Sequence, residues 1–99
     1  MAKYLLTNKA IEDLSDIWNY TYDKWSERQA DFYYQMLIEN CQEISDKPDI
    51  GKNYEGILSL LFGLRAGRHI IFYRKLNQNE VEITRILHQK MDLKNRILE

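Results

Sequence analysis

Basic and imidazole side chains concentrate in the last third of this 99-residue chain. Residues 64–92 carry two apolar runs joined by a polar Asn-Gln-Asn-Glu turn, and threaded through them are Arg65, Arg68, His69, Arg74, Arg85 and His88. On adjacent strands, such groups could neutralise a phosphate in a nuclease transition state. They could equally bind acidic side chains of a protein partner. The third alternative is structural, in which one or two of them tether strands to the helices.

Other kinds of catalytic site lack their usual signatures in this sequence. The four glycines are scattered, so there is no Gly-rich phosphate loop. One cysteine and two histidines show no metal-ligand spacing, and no nucleophile elbow is present. Cys41 falls on an apolar helix stripe, where cysteine usually behaves as a small hydrophobe. We therefore predict no catalytic residue, no metal and no cofactor. For His69 we favour a structural or hydrogen-bonded role.

Length and composition predict one globular domain spanning residues 1–99. Hydrophobic residues make up 44% of the chain and charged residues 29%, which is typical of a folded protein. A single cysteine permits no intramolecular disulfide, and this fits a reducing compartment. The N-terminus does not read as a signal peptide, and no stretch approaches the ~20 apolar residues of a membrane span. We expect a cytoplasmic protein with no membrane association.

Charge is divided unevenly between the two halves of the chain. Residues 1–50 contain five Lys/Arg against ten Asp/Glu, a net charge of −5, whereas residues 51–99 contain nine against five, a net charge of +4. This asymmetry predicts an acidic helical side and a basic sheet side. A charge of +4 is well short of the dense basic patch of nucleic-acid-binding proteins, so we expect no direct, specific binding to nucleic acid.

The N-terminal half predicts one strand followed by a helical hairpin. Lys3–Thr7 is short, apolar and β-compatible. Helical spacing then predicts a first buried stripe at Ile11, Leu14, Trp18, Tyr22 and Trp25, and a second at Ala30, Tyr34, Leu37, Cys41 and Ile44. Between them, Ser26–Gln29 has the form of a capping box and indicates a break. Two helices joined by so short a turn pack as an antiparallel hairpin.

The C-terminal half predicts a loop and three antiparallel strands. Pro48 ends the second helix, and residues 46–56 form the loop. The predicted strands are residues 57–65, 68–75 and 80–88, with Ala66-Gly67 as a tight turn between the first two and a short helix or tail over 91–98. The middle strand is apolar on both faces, so we expect it to be central and covered on both sides. The fold class is therefore α+β, with the helical hairpin packed on an antiparallel sheet.

Five short motifs, in order, cover nearly the whole sequence. They are A-x-x-D-L-x-x-I at Ala10–Ile17, W-x-x-x-Q-A-x-x-Y at Trp25–Tyr33, P-x-x-G at Pro48–Gly51, G-x-H-x-I-F-Y at Gly67–Tyr73, and R-I-L-H-x-x-M-D at Arg85–Asp92. Through them the chain resembles the ParE toxins of bacterial type II toxin–antitoxin modules, within the broader RelE/ParE superfamily. The last two motifs are the most specific part of the resemblance.

The resemblance implies a RelE-like β-α-α-β-β-β fold and a plasmid-stabilization type of toxin. ParE toxins poison DNA gyrase as binding proteins without hydrolytic chemistry, and a ParD-like antitoxin wraps them in a hetero-oligomer. RelE relatives are instead ribosome-dependent mRNA endoribonucleases that often use a C-terminal tyrosine. Here the last tyrosine is Tyr73, which favours the ParE branch. The alternatives are a RelE-type endoribonuclease and an inactive relative that only binds antitoxin.

Two sets of candidate binding residues follow. The candidates for contact with the target are Arg65, Arg68, His69, Arg85, His88, Met91 and Asp92. The chain departs from many relatives in its apolar strand before G-x-H, where Phe62 stands at a position that is often Arg. We interpret this strand as an apolar groove for the antitoxin, with the candidates Leu58, Leu60, Phe62, Tyr33 and Tyr34.

Overall fold

The computed structural model describes residues 2–99, in which a five-stranded sheet carries two long helices on one face. The elements are β1 (Lys3–Leu6), α1 (Asn8–Lys24), α2 (Glu27–Asp46), β2 (Lys52–Asn53), β3 (Phe62–Ala66), β4 (His69–Asn77), β5 (Glu80–His88) and α3 (Leu93–Leu98). The sheet order is β1-β5-β4-β3-β2. The predicted α+β class and helical hairpin are confirmed. The sheet is antiparallel except for β1, which runs parallel to β5, and β2 lies within the predicted loop.

Hydroxyl side chains set where both long helices begin. The Thr7 hydroxyl accepts a hydrogen bond from the backbone N–H of Ala10 at 3.1 Å, and the Ser26 hydroxyl accepts one from Gln29 at 3.1 Å. Each cap satisfies a donor that the first turn of a helix leaves free. The break predicted at Ser26 is therefore confirmed. None of the helices within residues 2–99 is both long and apolar enough to cross a membrane.

The sheet has a hydrophobic core on each face. On the helical side, Leu37, Cys41 and Ile44 of α2 pack with Ile71 and Ile83 of the central strands. Burial raises the pKa of the Cys41 thiol to about 12, so this cysteine stays a neutral hydrophobe. On the outer face, a smaller cluster of Leu61, Ile70, Phe72 and Leu87 is covered by Tyr54, Leu93 and Ile97. The prediction that the middle strand is covered on both sides is confirmed.

Of the stripe predicted to be buried on α1, Leu14 is buried and the other residues are at least partly exposed. Ala10 and Leu14 are the buried residues, whereas Ile11 and Tyr22 are exposed and Trp25 is 73% exposed. The bulky residues occupy the flank of α1 that faces α2 and the solvent. There Trp18 stacks on Tyr22 with ring centroids 5.3 Å apart, and its indole N–H donates to Asp31 at 3.0 Å. Helical spacing favours the largest side chains, but the closest approach to the sheet requires the small Ala10.

The strand predicted over residues 57–65 begins later than the alternating pattern indicated. Residues 55–60 form turns, and the strand starts at Phe62. Leu60 adopts a left-handed φ of 62°, which bends the chain so that Leu61 is buried in the outer core. The carbonyl of Leu61 then accepts from the N–H of Tyr54 at 2.8 Å. The alternation of leucines with smaller residues therefore resembles a strand pattern in a segment that forms turns.

Candidate functional site

The C-terminal half of β5 has an edge that no strand within residues 2–99 covers. β1 pairs with β5 only as far as Ile83. On the other edge of β5 the register with β4 shifts at the same place, so that Phe72 lies opposite Arg85 and Tyr73 opposite Ile83. The side chain of Asp13 fills this edge, because its Oδ2 accepts the backbone N–H of Ile86 at 2.9 Å. A carboxylate on α1 thus replaces the missing strand neighbour.

Arg85 connects three elements through its guanidinium group. Its Nε and Nη2 donate to the two carboxylate oxygens of Asp13 at 2.8 and 3.0 Å, and its Nη1 donates to the carbonyl of Arg96 on α3 at 2.7 Å. The hydrogen bonds to Asp13 raise the pKa of Arg85 above its ordinary value. The residue is 9% exposed. Proposed from sequence as a target-binding candidate, Arg85 offers little surface to a target, and its contacts give it the tethering role.

The turn between β3 and β4 depends on a glycine and a tyrosine. Gly67 has a φ of +61°, and a Cβ added there would lie 2.8 Å from the Tyr33 hydroxyl. That hydroxyl accepts the backbone N–H of Arg68 at 3.0 Å and lies 2.6 Å from Nδ1 of His69. The hydroxyl and Nδ1 therefore form one hydrogen bond, whose donor is set by the tautomer of His69. This arrangement gives a physical reason for each fixed position of G-x-H.

His69 is a neutral imidazole in this setting. Burial is the main cause that lowers its pKa to about 4, and the nearby His88 adds to the effect while Asp13 opposes it. The neutral ring keeps Nδ1 engaged by the Tyr33 hydroxyl. The expectation that His69 is held by a hydrogen-bonded partner agrees with this geometry.

The lowered pKa of His69 predicts a pH-dependent stability. Between pH 6.5 and about 4 the unfolded chain binds a proton at this position and the folded chain does not, so the free energy of unfolding should fall as pH decreases. Urea unfolding at several pH values measures the slope. His69→Gln, which cannot titrate, should show a shallower slope in this interval. Equal slopes in the two proteins would contradict the assignment.

His88 ends β5 directly opposite His69. The two rings have centroids 5.3 Å apart, and Nδ1 of His88 accepts the backbone N–H of Lys90 at 3.1 Å. The chain then turns into α3, where Oδ1 of Asp92 accepts the N–H of Asn95 at 3.4 Å as the helix cap. Asp92, a target-binding candidate, therefore also begins α3.

Two cavities meet at the histidine pair. Met91 and Arg85 line a cavity of about 260 Å³, and Arg68 lines another of about 520 Å³. His69 and His88 line both cavities. Five of the target-binding candidates thus surround one continuous region: Arg68, His69, Arg85, His88 and Met91. Arg65 lies outside both cavities on the outer face of β3, opposite Ile70.

A family model described as "ParE toxin of type II toxin-antitoxin system, parDE" matches residues 4–93. The chain belongs to the ParE toxin family. Relatives agree: Toxin ParE1 of Mycobacterium tuberculosis is 35% identical over 92 residues, which cover 93% of this chain and 94% of that protein. Toxin ParE1 of Caulobacter vibrioides is also 35% identical, with the same coverage.

Solved structures share the fold of this ParE-family chain. One, described as the chromosomal ParDE TA system from P. aeruginosa, superimposes with a TM-score of 0.76 at 19% identity and covers 89% of this chain and 96% of that one. The toxin–antitoxin complex RelBE2 of Mycobacterium tuberculosis gives a TM-score of 0.65 at 23% identity and covers 89% and 98%. The predicted membership and the predicted RelE-like fold are both confirmed.

The antitoxin-binding candidates do not lie on one surface of this ParE-family toxin. Leu58 lies beside Ile97 on the outer face of the sheet, and Leu60 is 68% exposed in the same loop. Phe62 packs on the helical side, where it stacks with Tyr73 at a centroid distance of 5.8 Å. Tyr33 is part of the G-x-H turn. Tyr34 is partly exposed on α2, so the expected single groove is divided between two faces.

Some residues of the site were missed or misread from sequence. Asp13, which holds the edge of β5, was not among the candidate residues. The signal that could have found it is the D-L pair of A-x-x-D-L-x-x-I. Lys24 and Trp25, which line the larger cavity, were missed because the helical pattern placed Trp25 in the core. Tyr73 also has a structural role, since its hydroxyl donates to the carbonyl of Pro48 at 2.7 Å and accepts from Gly51 at 3.0 Å.

Proposed function

We propose that this ParE-family toxin inhibits DNA gyrase by binding it, without hydrolytic chemistry of its own, and that a ParD-like antitoxin neutralises it in the cytoplasm. The observation that supports binding over RNA cleavage is the pairing of the sheet cations. Four of them contact carboxylates: Lys3 with Glu80, Arg74 with Glu82, Lys75 with Asp49 and Arg85 with Asp13. A paired cation is less able to stabilise a phosphorane-like charge.

The surface that we assign to the target is the region around the histidine pair. Arg68 is exposed there, and Met91, which is also exposed, lines the same cavity as His88. Methionine is flexible and polarisable, so it suits a recognition surface. His69 has Nδ1 engaged by Tyr33 and a pKa of about 4, which leaves it poorly suited to act as a general acid or base near pH 7.

An antitoxin partner is supported by the solved relatives, one described as a ParDE system and the other as a toxin–antitoxin complex. Exposed apolar side chains on this chain also support an antitoxin partner. Leu58, Leu60 and Tyr34 are all exposed, and surfaces of this kind usually mark a protein interface. We assign Leu58 and Leu60 to one part of the antitoxin interface and Tyr34 to another, so that the antitoxin wraps from one face to the other.

A supercoiling assay with purified toxin and DNA gyrase tests this proposal. We expect the toxin to block supercoiling and the antitoxin to restore it. If supercoiling is unaffected and mRNA is cut on the ribosome, the chain is a RelE-type endoribonuclease. If expression without antitoxin leaves growth normal, it is an inactive antitoxin-binding relative. A neighbouring reading frame that encodes a small protein with a ribbon-helix-helix N-terminus and an acidic tail would support the antitoxin assignment.

Alanine variants of His88 and Met91 should separate target binding from antitoxin binding. We expect His88→Ala combined with Met91→Ala to raise the toxin concentration needed to inhibit gyrase about tenfold or more, the effect of losing two interface contacts. Antitoxin affinity, measured by titration calorimetry, should change little. Leu98→Ala is the matched control, because Leu98 is exposed on α3 outside both cavities. Equal losses in the two assays would mean that these residues act through the fold.

A further inference from the structure

The larger cavity beside the histidine pair is lined by aromatic and basic side chains that protein recognition by Arg68 and His88 does not require. Its volume is about 520 Å³, within the range of small-molecule sites. It lies where the turn between α1 and α2 meets the turn between β3 and β4. Its walls include three aromatic residues, Tyr20, Trp25 and Tyr33, and its rim includes two cations, Lys24 and Arg68.

The side chains that line this cavity carry positive charge, although the half of the chain that supplies α1 and α2 is acidic. The half of the chain that supplies α1 and α2 has a net charge of −5, yet none of the described residues lining the cavity is an aspartate or glutamate. Lys24 and Arg68 form no ion pair with any residue of the described range 2–99. The cavity is therefore a local positive region that lacks its counter-charge.

One aromatic residue of the cavity wall, Trp25, is unusually exposed to solvent. Trp25 follows directly after α1 with 73% of its surface exposed, next to both cations. The floor is rigid, because the Tyr33 hydroxyl is held between the N–H of Arg68 and the ring of His69. A flat exposed ring, a fixed floor and two unpaired cations are together the features of a site for a flat, anionic ligand.

We propose that this cavity binds a nucleotide, with the base stacked on Trp25 and the phosphate bound by Lys24 and Arg68. A lone phosphate would leave the aromatic walls unused, and a single carboxylate side chain would fill little of the volume. The shared chemistry of base and phosphate has two sources, a free nucleotide or one unit of a single-stranded nucleic acid. The proposal goes beyond gyrase inhibition, and its test uses neither gyrase nor antitoxin.

Trp25 can report its own ligand. In a Trp18→Phe background it is the only tryptophan, since the chain contains two. We expect AMP to quench its fluorescence saturably. Adenosine and inorganic phosphate, each lacking one half of the ligand, should bind about tenfold or more weakly. A short oligo(dA) titrated in parallel identifies the source: tighter binding than AMP assigns the site to single-stranded nucleic acid, and weaker or equal binding to free nucleotide.

Charge reversal on the rim provides the second test. Lys24→Glu combined with Arg68→Glu should lower the affinity for AMP about a hundredfold, as expected for the loss of two charge-assisted contacts. Arg65→Glu has the same change of charge per residue and lies on the opposite face of the sheet, so it should have little effect. Circular dichroism checks that each variant is folded. The absence of saturable binding by either AMP or oligo(dA), or equal binding by the reversed and control variants, would overturn the proposal.

Discussion

Replacing Asp13 with alanine is expected to destabilise the protein by about 3–5 kcal/mol, the usual loss when one member of a buried ion pair is removed. The side chains of Asp13 and Arg85 are only 11% and 10% exposed, so solvent replaces the lost carboxylate poorly. The carboxylate that Arg85 then keeps is that of Glu99, which is more distant at 3.4 Å and has a side chain that is 50% exposed. The N–H of Ile86 also loses its acceptor. Because small domains are stable by only about 5–15 kcal/mol, this is a large fraction of the total. Urea unfolding monitored by circular dichroism measures it.

Two further variants define what the loss means. Glu82→Ala breaks the exposed pair with Arg74 and should change the stability by less than about 1 kcal/mol. Asp13→Leu combined with Arg85→Met removes both charges and should be more stable than Asp13→Ala, since no buried charge is then unpaired. A loss below about 1 kcal/mol for Asp13→Ala would show that the pair is effectively solvated.

The elements of this fold were largely predictable because their signals are local. The cap at Ser26, the proline at 48, the apolar run of β4 and the alternating pattern of β5 each act within a few residues. The direction of α1 was not predictable in the same way. Burial of Ala10 instead of Trp25 depends on how closely the helix approaches the sheet, which is a tertiary property.

The sequence indicated which candidate residues lie near one another but not which groups each of them contacts. G-x-H and R-I-L-H-x-x-M-D marked the strand ends that do come together at His69 and His88. The role of Arg85 was not predictable, because its partner Asp13 lies 72 residues away and both orientations of an arginine on a strand are compatible with the sequence. Ion pairs between residues far apart in the sequence also explain why the net positive charge of residues 51–99 does not show that their cations are unpaired.

Gly67→Ala is the second substitution with a large expected effect. A left-handed φ of +61° disfavours any Cβ, and the added methyl group would lie 2.8 Å from the hydroxyl oxygen and 3.0 Å from Cε1 of Tyr33, and 3.1 Å from Cε of Met36. Backbone strain and displacement of a packed ring together should destabilise the protein by about 2–4 kcal/mol. Urea unfolding measures this loss.

The same substitution should also change the titration of His69. When Tyr33 is displaced, His69 becomes less buried and gains water, so its pKa should rise from about 4 towards its ordinary value of 6.5. NMR titration of the imidazole Cε1–H resonances follows this shift. Gly56→Ala is the control, because a Cβ there would meet no described atom within 4 Å, and its stability should stay within about 0.5 kcal/mol. If both glycine variants retained the stability and the His69 pKa of the parent protein, the turn would tolerate a side chain, and the hydrogen bonds around Tyr33 would not depend on Gly67.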